Sequence, residues 1–187
     1  LCACLFGDER SLVRIDMSEF REPHSVSKLI GSPPGYVGFG EGGLLTERIR
    51  RKPFSVVLFD EAEKAHPDVL NLLLQLLDDG FLTDSEGGRA DFQNAVIILT
   101  SNVGLREMQS RPAGFGGQAQ NAADSRVLAE VRRAFRPELL NRLDEVLVFQ
   151  PLGNADKQRI CQKLLAQSRE RLLAQGVALS WDDEAVA

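Results

Sequence analysis

The 187 residues are 43% hydrophobic and 26% charged, enough for one core and part of a second domain, which excludes a disordered or fibrous chain. A net charge of −5 leaves no overall basic field to recruit nucleic acid or anionic lipid. Three cysteines, an odd number, argue against a disulfide framework and fit a reducing, cytoplasmic setting.

Cys2 and Cys4 open the chain in a C-x-C spacing, and the two histidines, His24 and His66, lie in unrelated contexts. The paired spacing of a zinc site is missing, so both thiols are expected to be buried on a helix. No run approaches the ~18–20 apolar residues that cross a membrane, and none has the layout of a signal peptide. The chain starts without Met inside an apolar run and stops in DDEAVA, so both ends read as cut from something longer.

Four segments read as buried strands: SLVRID (11–16), FSVVLF (54–59), AVIILT (95–100) and DEVLVF (144–149). Their nearly continuous apolar character is that of a parallel sheet covered on both faces. The basic run RIRRK (48–52) reads as a solvated helix face. DVLNLLLQLLDDG (68–80) predicts a helix that follows Pro67 and stops at Gly80. DSRVLAEVRRAF (124–135) predicts another, with Val127, Leu128, Val131 and Phe135 on one face and Asp124 or Ser125 as N-cap. Strand alternating with helix gives a three-layer α/β fold over 1–150. From Pro151 the character changes: 154–176 predicts one long helix with Ile160, Leu164, Leu165, Leu172 and Leu173 on a stripe, the start of a small helical domain over 151–187. Two loops are Gly-rich, 31–43 and 113–121.

In SVVLFDEAEKAH an apolar strand breaks abruptly into Asp60 and Glu61. Ligands of an open parallel sheet bind beyond the carboxyl ends of its strands. An acid there can hold Mg²⁺ through water, and a second acid can polarise a water for attack on a phosphate. The alternative is an ordinary acidic turn. One strand later Thr100, Ser101 and Asn102 fall at the same sheet edge, where an Asn can orient the water or touch a γ-phosphate; a turn-forming Asn is the other reading. Arg136 and Arg142 precede the last apolar run, placed either to reach a neighbouring subunit's nucleotide or to pair with Asp144 or Glu145.

The long runs RIDMSEF, HSVSKLIGSPPGYVGFGEGG, FSVVLFDEAEKAHPDV and LLQLLDDG, followed by ILTSNVG and FRPELLNRLDEVLVF, resemble the second AAA+ module of the Clp unfoldases, the ClpC and ClpB type, over about residues 5–175. The resemblance implies a P-loop NTPase core using ATP and Mg²⁺, with Asp60 as the magnesium acid, Glu61 as catalytic base and Asn102 as the sensor. It implies that Arg142 acts as an arginine finger across a subunit boundary, and hence a ring of identical subunits, a hexamer. Tyr36 and Val37, flanked by Gly35 and Gly38, would grip unfolded protein in a central pore; glycines on both sides free such a loop to swing.

The pattern also departs from the family. The G-x-x-x-x-G-K-[ST] phosphate loop does not occur in these residues, and the resemblance places it upstream of Leu1. The sensor-2 arginine is expected beyond Ala187. By itself the chain is therefore expected to bind nucleotide poorly and hydrolyse essentially none. In LTDSEGGRADF, Gly87-Gly88 precede Arg89 where the family has Gly-Arg, which puts a direct role for Arg89 in a second pore loop in doubt.

Ala113-Gly114-Phe115 fits the tripeptide with which ClpC-type proteins dock on the ClpP protease, and an exposed Phe between glycines calls for a partner to bury it. Adaptor proteins are possible further partners. The alternatives are a ClpB-type disaggregase without a protease and, more distantly, a nucleic-acid motor on the same core. The latter would need basic pore loops, and PPGYVGFGEGG has none.

Overall fold

The computed structural model describes residues 1–36, 40, 42–105 and 117–182, and of 117–123 the backbone alone. The chain divides into two units, Leu1–Val146 and Leu147–Ala187.

The first unit is built on three parallel strands, β1 (Leu12–Asp16), β2 (Val56–Asp60) and β5 (Val96–Leu99), in the order β1-β2-β5. A short antiparallel hairpin, β3 (Phe81–Thr83) with β4 (Arg89–Asp91), stands apart from this sheet. The helices of this unit are α1 (Cys2–Phe6), α2 (Val26–Ile30), α3 (Leu44–Arg51), α4 (Pro67–Asp79), α5 (Gly117–Ala134) and α6 (Pro137–Leu140).

Alternation in the strands decides which side chains enter the core. Val13, Ile15, Val57 and Phe59 are at most 5% exposed and join Val69, Leu72, Leu73 and Leu76 of α4 in one cluster with Leu45 and Ile49 of α3. The in-between positions face the other way: Leu12 is exposed, Arg14 sits at an outward position, and Asp16 lies directly opposite Asp60. Burying the Leu-rich face of α4 on the sheet contributes about 25 cal/mol for each Å² of apolar surface removed from water, and this is what fixes the sheet's carboxyl edge in place. The helix begins at Pro67, one residue before the expected start, with His66 accepting the Asp68 N–H at its N-cap, and ends before a left-handed Gly80.

Four expectations are corrected. Residues 144–149 form no strand. A strand exists only where a neighbouring backbone takes up its N–H and C=O groups, and among the described residues no strand pairs with this run; Val146, Leu147 and Phe149 are 43%, 65% and 85% exposed. The helix expected from Asp124 or Ser125 begins at Gly117, so neither residue caps it; the intervening GQAQNAA includes Gln and Ala, good helix formers that extend the turn pattern. Val127 and Phe135 of its apolar face are nevertheless buried. Cys2 is buried on α1, but Cys4 is exposed, because a helix of one turn has only one inward side. The segment expected to be a second pore loop contains instead the antiparallel strands β3 and β4, whose pairing takes up their backbone groups.

The second unit, taken alone, contains α7 (Asn154–Leu173), followed by a turn ending at left-handed Gly176. Its apolar stripe borders a groove lined by Leu152, Ile160, Cys161, Leu164 and Leu165 together with Lys157 and Ser168. Ile160 and Leu164 remain 43% and 57% exposed, and the Arg169 guanidinium lies 5.5 Å from the Trp181 ring centre. Among the described residues no helix is long and apolar enough to cross a membrane.

Candidate active site

Asp60 is the last residue of β2, and Thr100 and Asn102 follow β5 at the same edge, so register alone gathers them. The Thr100 hydroxyl donates to Asp60 Oδ1 at 2.5 Å. Arg14, reaching along β1, donates from Nη2 at 2.5 Å and from Nε at 3.1 Å to Asp60 Oδ2. The Thr100 hydroxyl, then the Arg14 guanidinium, hold the Asp60 carboxyl below its ordinary 3.8, against some desolvation. Asp16 beside it is also held low, by the Ser18 hydroxyl and N–H, despite the adjacent Asp60 charge.

Glu61 breaks the strand. Its φ of 55° and ψ of 49° place it in the left-handed region, the sole non-glycine there among the described residues. For an L-residue this conformation costs about 1–2 kcal/mol. It is held by backbone contacts on both sides: the Glu61 N–H donates to Thr100 Oγ1 at 3.2 Å and the Ala62 N–H to the Thr100 carbonyl at 2.9 Å. The turn swings the Glu61 carboxylate back toward β5, where Asn102 Nδ2 donates to Oε1 at 3.0 Å and Lys64 Nζ to Oε2 at 2.5 Å. Glu63 fastens the same junction, its Oε1 accepting the Asn102 N–H at 3.1 Å while its Oε2 is buried without a partner.

The structure therefore brings together Asp60, Glu61, Thr100 and Asn102. Ser101 is exposed and accepts the Val103 N–H instead. Arg142 is not part of the cluster: it pairs with Asp78 near the end of α4 rather than with Asp144 or Glu145. Arg136 N-caps α6 and donates to the Pro67 carbonyl at 3.5 Å. Arg89 lays its guanidinium 3.6 Å from the Phe81 ring centre, across the hairpin. Tyr36 is 72% exposed after a turn closed by its N–H on the Pro33 carbonyl, with Gly35 at a φ of 88°. Val37, Gly38, Gly114 and Phe115 lie outside the described residues.

Sequence reading missed Arg14 and Lys64. Arg14 had a signal: a charge inside an otherwise apolar strand, two residues before an acid. Lys64 had only its place three residues after Glu61.

Paired acids at the carboxyl edge of a parallel α/β sheet, one braced and one turned toward an Asn on the next strand, are the arrangement of a nucleotide-hydrolysing core. A family profile described as AAA domain (Cdc48 subfamily) matches residues 1–146, and the chain belongs to that family. Its three-layer α/β core is that of the P-loop NTPases. The ATP-dependent Clp protease ATP-binding subunit ClpC of Staphylococcus saprophyticus is 51% identical over 96% of this chain and 23% of that protein. The negative regulator of genetic competence ClpC/MecB of Bacillus subtilis is 52% identical, over 100% of this chain and 24% of that protein. The chloroplastic chaperone protein ClpD2 of Oryza sativa subsp. japonica is 52% identical over 98% of this chain and 20% of that protein. Among solved structures, the closed-state cryo-EM reconstruction of Hsp104 with ATPγS and FITC casein matches with a TM-score of 0.78 and 42% identity, covering 91% of this chain and 29% of that one. The chain thus spans about a quarter of the length of these relatives and is of the Clp type within the AAA+ ATPases.

Proposed function

We propose that this chain supplies the hydrolytic edge of an ATP-driven protein unfoldase, with Glu61 as the base and Asp60 as the magnesium acid. The observation that carries the reading is Glu61 itself: a strained backbone aims its carboxylate at Asn102 beside Asp60, and such strain is characteristic of functional sites.

The donor set fits Mg²⁺, a hard cation that takes oxygen ligands and keeps most of its water. Asp60 and Asp16 lie opposite one another at the sheet edge, and Asp60 Oδ1 has a lone pair beyond the one used by Thr100, whereas the two bonds from Arg14 occupy Oδ2. Bound there through water, the ion would neutralise charge on the β- and γ-phosphates. Glu61 accepts a proton from the attacking water, and Asn102 holds both that carboxylate and the water in line. Thr100 keeps Asp60 ionised and fixed. The phosphates themselves need a cradle of N–H groups that these residues do not include, so the 187-residue chain alone hydrolyses no ATP.

Arg142 serves a neighbouring subunit's nucleotide in a hexameric ring, a role in which it has no need to touch its own Asp60–Glu61 cluster. Tyr36, itself exposed, contacts unfolded polypeptide together with Val37 and Gly38 of the same loop, and apolar contact of this kind suits a motor indifferent to substrate sequence. The name of one relative, the ATP-binding subunit of an ATP-dependent Clp protease, supports delivery to a protease; docking on ClpP through Gly114 and Phe115, adaptors as further partners and a cytoplasmic setting belong to the same proposal.

The test is steady-state ATP turnover by the complete protein. Glu61→Gln is expected to lower turnover at least a hundredfold with nucleotide binding retained; turnover at the parent rate sinks the reading.

A further inference from the structure

The loop carrying Tyr36 leaves α2 at Gly31 and returns to α3 through Gly43, and its two ends meet. A Cβ on Gly43 would lie 2.3 Å from the Leu29 carbonyl oxygen and 2.5 Å from Ile30 Cα, so the returning backbone rests on the departing one. The turn of the β3–β4 hairpin abuts the departing end. The Ser85 N–H donates to the Ile30 carbonyl at 3.0 Å, and a Cβ on Gly31 would fall 2.5 Å from Ser85 Oγ.

That turn is itself fastened to α3. Asp84 Oδ1 accepts the N–H groups of Glu86 at 2.9 Å and Gly88 at 2.7 Å, and Oδ2 pairs with the Arg50 guanidinium. Arg50 also donates to Glu47 Oε1 at 3.0 Å and to the Arg89 carbonyl at 3.3 Å. A Cβ on Gly88 would lie 2.8 Å from Arg50 Nη2 and 2.9 Å from Asp84 Oδ2, so the ion pair fills the space a side chain would need there, while Gly87 meets nothing and takes a φ of 83°. The Asp84 side chain is only 5% exposed, and a charge so enclosed persists where its partner is held in place.

We propose that Arg50 and Asp84 are positioning residues for the gripping loop. Their ion pair binds the 84–88 turn to α3, the turn holds the departing end of the 31–43 loop, and a pull on Tyr36 passes into α3 and the hairpin as one body. This rests on the reading of Tyr36 as the residue that grips polypeptide.

Amide hydrogen exchange on this chain reads the clamp without reference to Tyr36. In Arg50→Gln and Asp84→Asn the Ser85 amide is expected to exchange at least tenfold faster, while the Thr100 amide, bonded within the sheet, keeps its rate. Arg50→Lys, which keeps the charge and loses the fork, gives the same reading if the Gln variant does not fold. A Ser85 rate within twofold of the parent overturns the clamp. In the complete protein the same variants are expected to raise the ATP consumed per polypeptide threaded at least fivefold, with the double variant no worse than the worse single one. An unchanged ratio, when Tyr36→Ala does abolish threading, overturns the positioning role and spares the gripping reading. Intact threading in Tyr36→Ala overturns the gripping reading and this proposal with it.

Discussion

Asn102 and Glu61, 41 residues apart in the chain, are joined side chain to side chain at 3.0 Å. The bond ties the residue that follows β5 to the one that follows β2, so the carboxylate proposed as the base is oriented by the sheet and not by its own flexible stem. A group so aimed needs little rearrangement when a water arrives, which is how a rigid scaffold contributes to rate.

The Thr100 hydroxyl bonds Asp60 and receives the Glu61 N–H. Thr100→Val keeps the volume and removes both bonds, one of them to a charged group. Stability is expected to fall by about 2 kcal/mol, read as a lower urea midpoint. An unchanged midpoint would mean that the hydroxyl contributes nothing to the edge.

Acid is expected to loosen the hairpin clamp. Burial pushes the Asp84 carboxyl up, but the Arg50 guanidinium and the N–H groups of Gly88 and Glu86 more than offset this and hold it below 3.8. A carboxyl lowered in the folded state contributes stability that is complete above its unfolded value, about 3.9, and is lost as pH falls through the folded one. Asp84→Asn is therefore expected to cost about 2 kcal/mol at pH 7, and the gap between parent and variant to shrink below about pH 4. Urea midpoints at pH 7 and pH 3 check the sign; a gap that widens in acid contradicts it.

Glu61 separates stability from activity. Glu61→Gly relieves a left-handed backbone that costs about 1–2 kcal/mol, and removes both an ion pair with Lys64 worth at most about 1 kcal/mol and the bond from Asn102, worth about 1 kcal/mol. The opposing terms nearly cancel, so the variant is expected to stay within about 1 kcal/mol of the parent and to lose ATP hydrolysis in the complete protein. Thermal unfolding and turnover, measured side by side, give the two readings; a clear loss of stability would show that the strain is not there.

Tyr36 is the chain's one tyrosine and stands 72% exposed. Tyr36→Ala removes little packing, so stability is expected to move by less than about 0.5 kcal/mol. Threading of an unfolded substrate by the complete protein is expected to fall at least tenfold, followed with a fluorescent substrate. Equal threading contradicts the gripping role.

The parallel sheet and α4 were legible because their signals are local: three short apolar runs, and a Leu-rich stretch between Pro67 and Gly80. Asp60, Glu61 and Asn102 were legible as polar residues stranded at the ends of such runs. Arg14 was not, because its partner lies 46 residues away and only the β1–β2 register brings them together. The hairpin escaped because its strands are three residues each, too short for alternation to register, and its stability comes from Arg50 and Asp84 instead. The run 144–149 has the composition of a strand, but composition says nothing of whether a neighbour is present to receive it.

That last segment and β5 share a liability. Among the described residues β5 is the last strand of the sheet, and Val146 and Phe149 are exposed in a run with no assigned secondary structure. Edges of this kind are adhesive, copy to copy, unless a charge or a covering strand intervenes. Crowded together, such chains are prone to zip into tangles, so dilution governs how long they stay monodisperse.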